Sequence, residues 1–457
     1  MGVNILVAHG GGPTAVINTS LQGVVEGARQ SGKVDKIYAA RFGAEGILKG
    51  DLIDLTDVPS STIAKLAHTP ASAIGSCRRK LTDADYPTVI ETLKKFEIDC
   101  FFYNGGNDSM DTCNKVSKLA QAEGLDVKVI GIPKTMDNDL DITDNCPGFG
   151  SAARYAAESA CELALDASGL PIHVVVLELM GRNAGWVTAA SALAARATDC
   201  EVLTYLPEML VDEDKMLSDI EKAWAKGKGL LVTVSEGICG LDGKPLASTG
   251  IVDGFGHMIP GGTAQHVTDN IIQKLNIKSR AEKPGLLGRA AIPYASRVDQ
   301  LEAYAVGKYA VEAALKGESD YMVAIDAHRG ENFTFDLFLA PLAKVANVEK
   351  KFPLEWIIDG NYGSTMELRM AACDTVIFLD YPLEVCLDGI KERRGKPRSD
   401  MPWIETEEDA EFIEFIKSYS EQQKPKVLEL LEKYGDKNII ILGSREQADA
   451  FLNGEKL

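Results

Sequence analysis

The sequence has no apolar run long enough to cross a bilayer, so a membrane-spanning helix is not expected. It has no H-E-x-x-H and no C-x-x-C, and its six histidines are scattered, so no structural zinc site is expected. No G-x-x-x-x-G-K-[ST] occurs anywhere, which removes the commonest phosphate loop. Basic residues are scarce: 48 Lys and Arg stand against 67 Asp and Glu, a formal charge of −19. That balance argues against nucleic acid or an anionic membrane as partner. An anionic substrate would need cations concentrated locally against the global field. Nine cysteines (77, 100, 113, 146, 161, 200, 239, 373 and 386) sit in apolar segments and read as free thiols of a reduced cytoplasm. The N-terminus enters a strand-like MGVNILVAH directly, so no signal peptide is expected and the location predicted is cytoplasmic.

What is present is alternation. With 457 residues, two or three domains with sizeable cores are predicted. VNILVA leads into GGGPTAVINTSLQGVVEGARQ, which reads as strand, Gly-rich turn and helix. DKIYAA, CFFYNGG, VKVIGI, HVVVLELMG, GLLVTVSEG and YMVAID are further strands. Helical segments lie between them, including PGFGSAARYAAESACELALDAS and one from Glu302 to Leu315. This is repeated βαβ, an α/β fold with mostly parallel sheets. In open sheets of that kind ligands bind at the carboxyl ends of strands, so GGGPT, GGNDS and PKTMDND should converge.

Each of these loops has chemistry suited to phosphate. Gly10, Gly11 and Gly12 let backbone N–H groups approach an anion at a helix N-terminus, although a ligand-free tight turn has the same composition. Asp108 offers oxygen to a hard cation, and a helix N-cap is the plain alternative. Lys134 is a point charge for a phosphate, Asp137 can accept a hydroxyl proton, and Asp139 can orient it or bind sugar hydroxyls. Together the loops read as Mg²⁺-assisted phosphoryl transfer to an alcohol.

The motifs GGGPTAVIN, GSCRRKL, YNGGNDSMDT, GIPKTMDNDL, PGFGSAARY, LELMGRNAGW, VSEGI and ASRVDQLEAYAVG, in this order, resemble the phosphofructokinases, specifically their pyrophosphate-dependent branch. The resemblance covers residues 1 to about 357. It implies two Rossmann-like three-layer lobes, a large one of about 1–148 and 288–338 and a small one of about 149–287 and 339–357. It implies reversible phosphorylation of fructose 6-phosphate at O1 with Mg²⁺, by a glycolytic or gluconeogenic transferase that is a homodimer or homotetramer. ATP users of the family typically carry glycine where this chain has Asp108 and Lys134. A side chain at 108 intrudes where a nucleotide's α-phosphate goes, and an ammonium at 134 suits compact pyrophosphate.

By the same resemblance Asp137 is the base and Lys134 stabilises the transferring group. Gly11, Gly12, Arg78, Asn107 and Lys134 bind the donor. Thr135, Met136, Asp137, Asp139, Met180, Gly181, Arg182, Glu236, Arg280, Leu286 and Arg289 bind the sugar phosphate, and Asp108 binds the metal. Three departures stand out. Asn107 replaces a common aspartate, His173 a common Arg or Lys, and Leu286 a common His or Tyr. They leave open another acceptor such as sedoheptulose 7-phosphate. ATP as donor, or a non-catalytic regulatory subunit that binds sugar phosphate, are the rival expectations.

From about 358 to 457 the pattern changes. DTVIFLDYP, RRGKPRSD and KNIIILGSREQADAFL resemble a central strand, an arginine-rich lid and the last strand and helix of adenylate-kinase-like P-loop proteins. Arg393, Arg394 and Arg398 would be the phosphate-binding candidates there. With no P-loop in the chain, the expectation is an appended α/β module without kinase activity of its own.

Overall fold

The run VNILVAH is apolar at nearly every position, and it forms β1 (Val3–His9), buried from Ile5 onward as a parallel strand covered on both faces should be. The structure, a computed structural model, describes residues 2–252, 258–260, 262–328, 333–354, 363–395 and 410–452. After β1 come α1 (Ile17–Ser31), β2 (Val34–Ala40), β3 (Leu52–Asp54), β4 (Cys100–Gly105), α2 (Asn107–Ala122), β5 (Lys128–Pro133) and α3 (Phe149–Gly169). Then follow β6 (Val174–Leu179), β7 (Glu201–Tyr205), β8 (Leu230–Ser235) and β9 (Ser279–Glu282). The chain returns to its first layer through α4 (Arg297–Leu315), β10 (Tyr321–His328) and β11 (Thr334–Pro341).

The first sheet has the order β11-β10-β5-β4-β1-β2-β3, parallel inside and antiparallel at both edges. The second, β9-β6-β8-β7, is wholly parallel. Each sheet has an apolar cluster on both faces, so neither lobe depends on the other for its core. Because β5, β4 and β1 are neighbours, the three loops that follow them lie side by side. All nine cysteines are free.

Helix α4 begins at Arg297, five residues before the expected start at Glu302. Ser296 and Asp299 have capping-box spacing, yet Asp299 does not serve its own helix. Its buried carboxylate accepts from the Gly148 and Ser151 N–H groups and the Ser151 hydroxyl, at 2.8, 2.9 and 2.5 Å. It thus satisfies the open donors at the start of α3, a helix that begins beside the site. Helices α1 and α4 touch backbone to backbone. A Cβ on Gly307 would lie 2.1 Å from Ser20 O, and one on Gly23 2.1 Å from Tyr304 O. Gly307→Ala is therefore expected to cost about 1–3 kcal/mol through forced separation of the helices. Urea unfolding checks this, and an unchanged midpoint would contradict the packing argument.

The chain divides into Met1–Leu354 and Glu355–Leu457. In the second unit Thr375–Leu379 and Asn438–Leu442 form a parallel pair, with helices Gly363–Ala372 and Lys424–Lys433 over a small core of Met370, Val427 and Leu431. Of the DTVIFLDYP segment, expected as a central strand, Thr375–Leu379 is a strand, and among the described residues it pairs with one neighbour. The last strand and helix are present as Asn438–Leu442 and Arg445–Leu452. Arg398 lies outside the described residues, as does the side chain of Arg393. Arg394 ends the helix Leu383–Arg393.

Candidate active site

The donor loop is held open by its neighbours. Gly10 N–H donates to Asn104 O at 2.9 Å and Gly11 N–H to Cys77 O at 2.9 Å, which draws GSCRRKL alongside GGGPT. Gly11 has φ +73°, a left-handed conformation that side chains resist. At Gly12 a Cβ would meet Arg289 Nη1 at 2.5 Å and Arg78 Nη2 at 3.3 Å, so glycine admits both guanidinia to the backbone. These residues line a cleft of about 340 Å³ with Phe42, Ser72, Ser76 and Cys77.

Arg289, expected on the sugar phosphate, is carried by the short helix Leu287–Ala290 to a place where its guanidinium lies against the donor loop beside Arg78. Burial and the Arg78 charge lower its pKa, while Asp137 and Glu236 oppose the shift. It therefore sits between donor loop and base. Arg280, also expected on the sugar phosphate, lies exposed on edge strand β9, paired in register with Val175, and is not brought into this cluster. Leu286 is 64% exposed, and the small recess formed by Met136, Tyr155, Met180 and Gly288 does not include it. His173 is buried at the entry to β6, as a packing histidine would be.

Lys134 follows β5 and is 4% exposed. Its Nζ donates to Gly12 O at 2.7 Å, tying the second loop to the first. Burial, with Arg289 and Arg78 nearby, pushes its pKa down to about 8 against the pull of Asp139 and Asp137. Asp137 is fully buried. Burial first, then the charges of Asp139 and Glu236, push its pKa up to about 7. Thr135 Oγ1 accepts from Asp137 N–H at 3.0 Å and bonds the Asp139 carboxylate. Asp139 is also shifted up, chiefly by burial. Between them Asn138 takes φ 53°, and its side chain ties Asp144 O and Cys146 N–H, which turns the loop so that both acids face inward.

From the second sheet come Met180, Gly181 and Arg182 after β6, and Glu236 after β8. The Ser235 hydroxyl donates to Gly181 O, and Gly181 itself needs φ 129°. Burial and the charge of Glu178 raise the pKa of Glu236, while Arg182 and Lys283 oppose the shift. Glu178 was missed by the sequence reading. Its carboxylate bonds Lys283 at 2.5 Å and the Ala264 N–H at 2.9 Å. The available signal was a single acid inside the apolar run VVVLEL. His9, also missed, ends β1 with Nδ1 2.8 Å from Ser72 Oγ. Burial and the Lys134 charge push its pKa down to about 3, so it stays neutral beneath the donor cleft.

Among the buried oxygens without a hydrogen-bond partner among the described residues are Asn107 Oδ1, Asp137 Oδ1 and Asp139 Oδ1, all in these loops. Asn107 Nδ2 reaches Asp139 O at 3.5 Å, so at least two of these groups are adjacent. Unpaired hard oxygens suit a divalent cation completed by substrate phosphates. Asp108, the expected metal ligand, stands in the first turn of α2, 69% exposed and 3.3 Å from Lys80 Nζ. An exposed pair of that kind binds weakly and is easily exchanged.

The model of the family described as Phosphofructokinase matches residues 4–314. A pyrophosphate–fructose 6-phosphate 1-phosphotransferase of Methylococcus capsulatus is 43% identical over 83% of this chain and 93% of that protein. A sulfofructose kinase of Alkalicoccus urumqiensis is 33% identical over 76% and 89%. Among solved structures, a pyrophosphate-dependent phosphofructokinase of Nitrosospira multiformis superposes with a TM-score of 0.70 at 41% identity, covering 78% of this chain and 87% of that one.

Proposed function

The chain belongs to the phosphofructokinase family, and from that premise we propose that it transfers a phosphoryl group from pyrophosphate to O1 of fructose 6-phosphate, reversibly. The observation that carries the donor assignment is Lys134, a buried ammonium bonded to the carbonyl of the donor glycine loop. Asp137, with a bare buried oxygen, takes the proton of the sugar hydroxyl. The alkoxide oxygen attacks the terminal phosphorus, and orthophosphate leaves. Lys134, Arg78 and Arg289 face the charge that develops on the transferring group. Glu236 and Arg182 hold the sugar from the other lobe, and Thr135 keeps the base loop in register. Asn107 and Asp108 would hold Mg²⁺, which when bound neutralises phosphate charge. The reading includes a homo-oligomer acting in the cytoplasm.

The pKa shifts set a narrow pH range. Asp137 must be ionised to accept a proton, so activity rises as pH passes about 7. Lys134 must be protonated to hold the donor, so activity falls as pH passes about 8. A bell-shaped kcat/KM profile with its top between these values is expected. A profile flat from pH 6 to 9 would contradict it.

A second reading concerns only the acceptor. Leu286 offers no charge to a sugar phosphate, His173 is buried at the start of β6, and Arg280 is turned outward. Another sugar ester, or the sulfonate that one relative's name specifies, could then serve. The test is the purified protein with Mg²⁺ and pyrophosphate and a panel of fructose 6-phosphate, sedoheptulose 7-phosphate and 6-deoxy-6-sulfofructose. The highest kcat/KM is expected with fructose 6-phosphate, and a hundredfold preference for another acceptor would replace it.

A further inference from the structure

The two halves of the site come from different sheets, yet the base must meet the sugar hydroxyl within a fraction of an ångström. The segment 349–352 links them. On one side Lys350 N–H donates to Asp139 O at 2.8 Å, and Glu349 bridges to Leu140. Lys350 Nζ donates to Thr143 O at 2.6 Å and Asp144 O at 2.9 Å. On the other side the same residue meets the segment just past Met180–Arg182. Trp186 Nε1–H donates to Lys350 O at 3.4 Å, and the ammonium lies 5.3 Å from the Trp186 ring centre. Asn183 donates to Glu349 at 2.9 Å. Phe352 packs edge-on against Trp186, 5.0 Å between ring centres, and its N–H shares Glu208 Oε1 with the Gly185 N–H at 2.8 and 2.9 Å.

We propose that Lys350 is a positioning residue: it fixes the 137–144 loop against the Asn183–Trp186 segment, and so sets the spacing between base and sugar. Without its ammonium, the contacts to Thr143 O and Asp144 O would have to be replaced by water and the Trp186 ring would lose its cation, while the bonds of the 350 backbone to Asp139 and Trp186 would remain. Neither half would unfold, since each sheet has its own core. The effect falls on approach geometry rather than on donor binding, because the donor loop is held separately by Cys77, Asn104 and Lys134. The inference rests on the phosphoryl-transfer reading, and its test is chosen to be separable from it.

Lys350→Met keeps the stem over Trp186 and removes the ammonium. Expected is a kcat lower by roughly 10- to 100-fold, with KM for pyrophosphate and the melting temperature little changed and most of the rate restored in Lys350→Arg. Equal kcat in wild type and Lys350→Met overturns the proposal, as does an equal loss in Lys350→Arg. Hydrogen exchange reads the same device without turnover. Amides of residues 137–144 and 183–187 should exchange faster in Lys350→Met, but not in Lys350→Arg. Unchanged exchange overturns the proposal even if no acceptor in the panel reacts, whereas an inactive wild type with faster exchange in the variant sinks only the functional reading. Should Lys350→Met fail to fold, Trp186→Leu removes the ring under the ammonium together with the indole donor to Lys350 O and is expected to show the same split between kcat and KM; a normal kcat there overturns the proposal.

Discussion

Asp137→Asn should lower kcat about a thousandfold, within the range expected for loss of a general base, while KM for the sugar changes little. The exchange is isosteric. Asn keeps an oxygen and the loop geometry set by Thr135 and Asn138, but it cannot take a proton. The acid limb of the pH profile near 7 should vanish with the activity, since that limb belongs to Asp137. Asp139 is the natural rival, being buried beside it with one bare oxygen. Its carboxylate, however, already bonds Thr135 and its own backbone N–H. Steady-state kinetics of both Asn variants across pH separate the two. A fully active Asp137→Asn with an inactive Asp139→Asn would transfer the role.

Lys134→Met carries the second large effect, a loss of about 10²- to 10³-fold in kcat/KM for pyrophosphate, the order seen when one donor to the developing charge is removed. The stem still fills the buried space, so the change isolates the ammonium. Two consequences follow from the contacts. Gly12 O loses its partner at 2.7 Å, which loosens the donor loop. Arg78 and Arg289 are left facing a site with one fewer cation. The sugar KM should move little, because Glu236 and Arg182 lie on the other sheet. The alkaline limb near pH 8 should disappear as well. An unchanged pyrophosphate rate would remove Lys134 from the donor site.

What could be read from the sequence was what is local in the chain. The loops at 10–12, 105–109 and 134–139 each follow an apolar strand and carry their chemistry within a few residues. Their convergence followed from a general rule about strand ends. Arg289 and Arg280 were not legible in this way. Whether an arginine turns into a cleft or out to solvent depends on a short helix at Leu287–Ala290 in one case and on edge-strand pairing in the other. Lys350 is plainer still. In VANVEKKFP it is one lysine of two, and only the fold places it against carbonyls more than two hundred residues upstream. Asp299 depends on the fold in the same way, since its carboxylate bonds Gly148 and Ser151 rather than its own helix. In the 355–457 unit, the apolar runs TVIFL and NIIIL marked two strands, and the fold pairs them in parallel.

The decisive measurement is phosphorus NMR of the purified protein with Mg²⁺ and fructose 6-phosphate, given either pyrophosphate or ATP. The structure predicts loss of the pyrophosphate signal with one orthophosphate released per fructose 1,6-bisphosphate formed, and negligible turnover with ATP. Product with ATP alone, or no product with either donor, would contradict it.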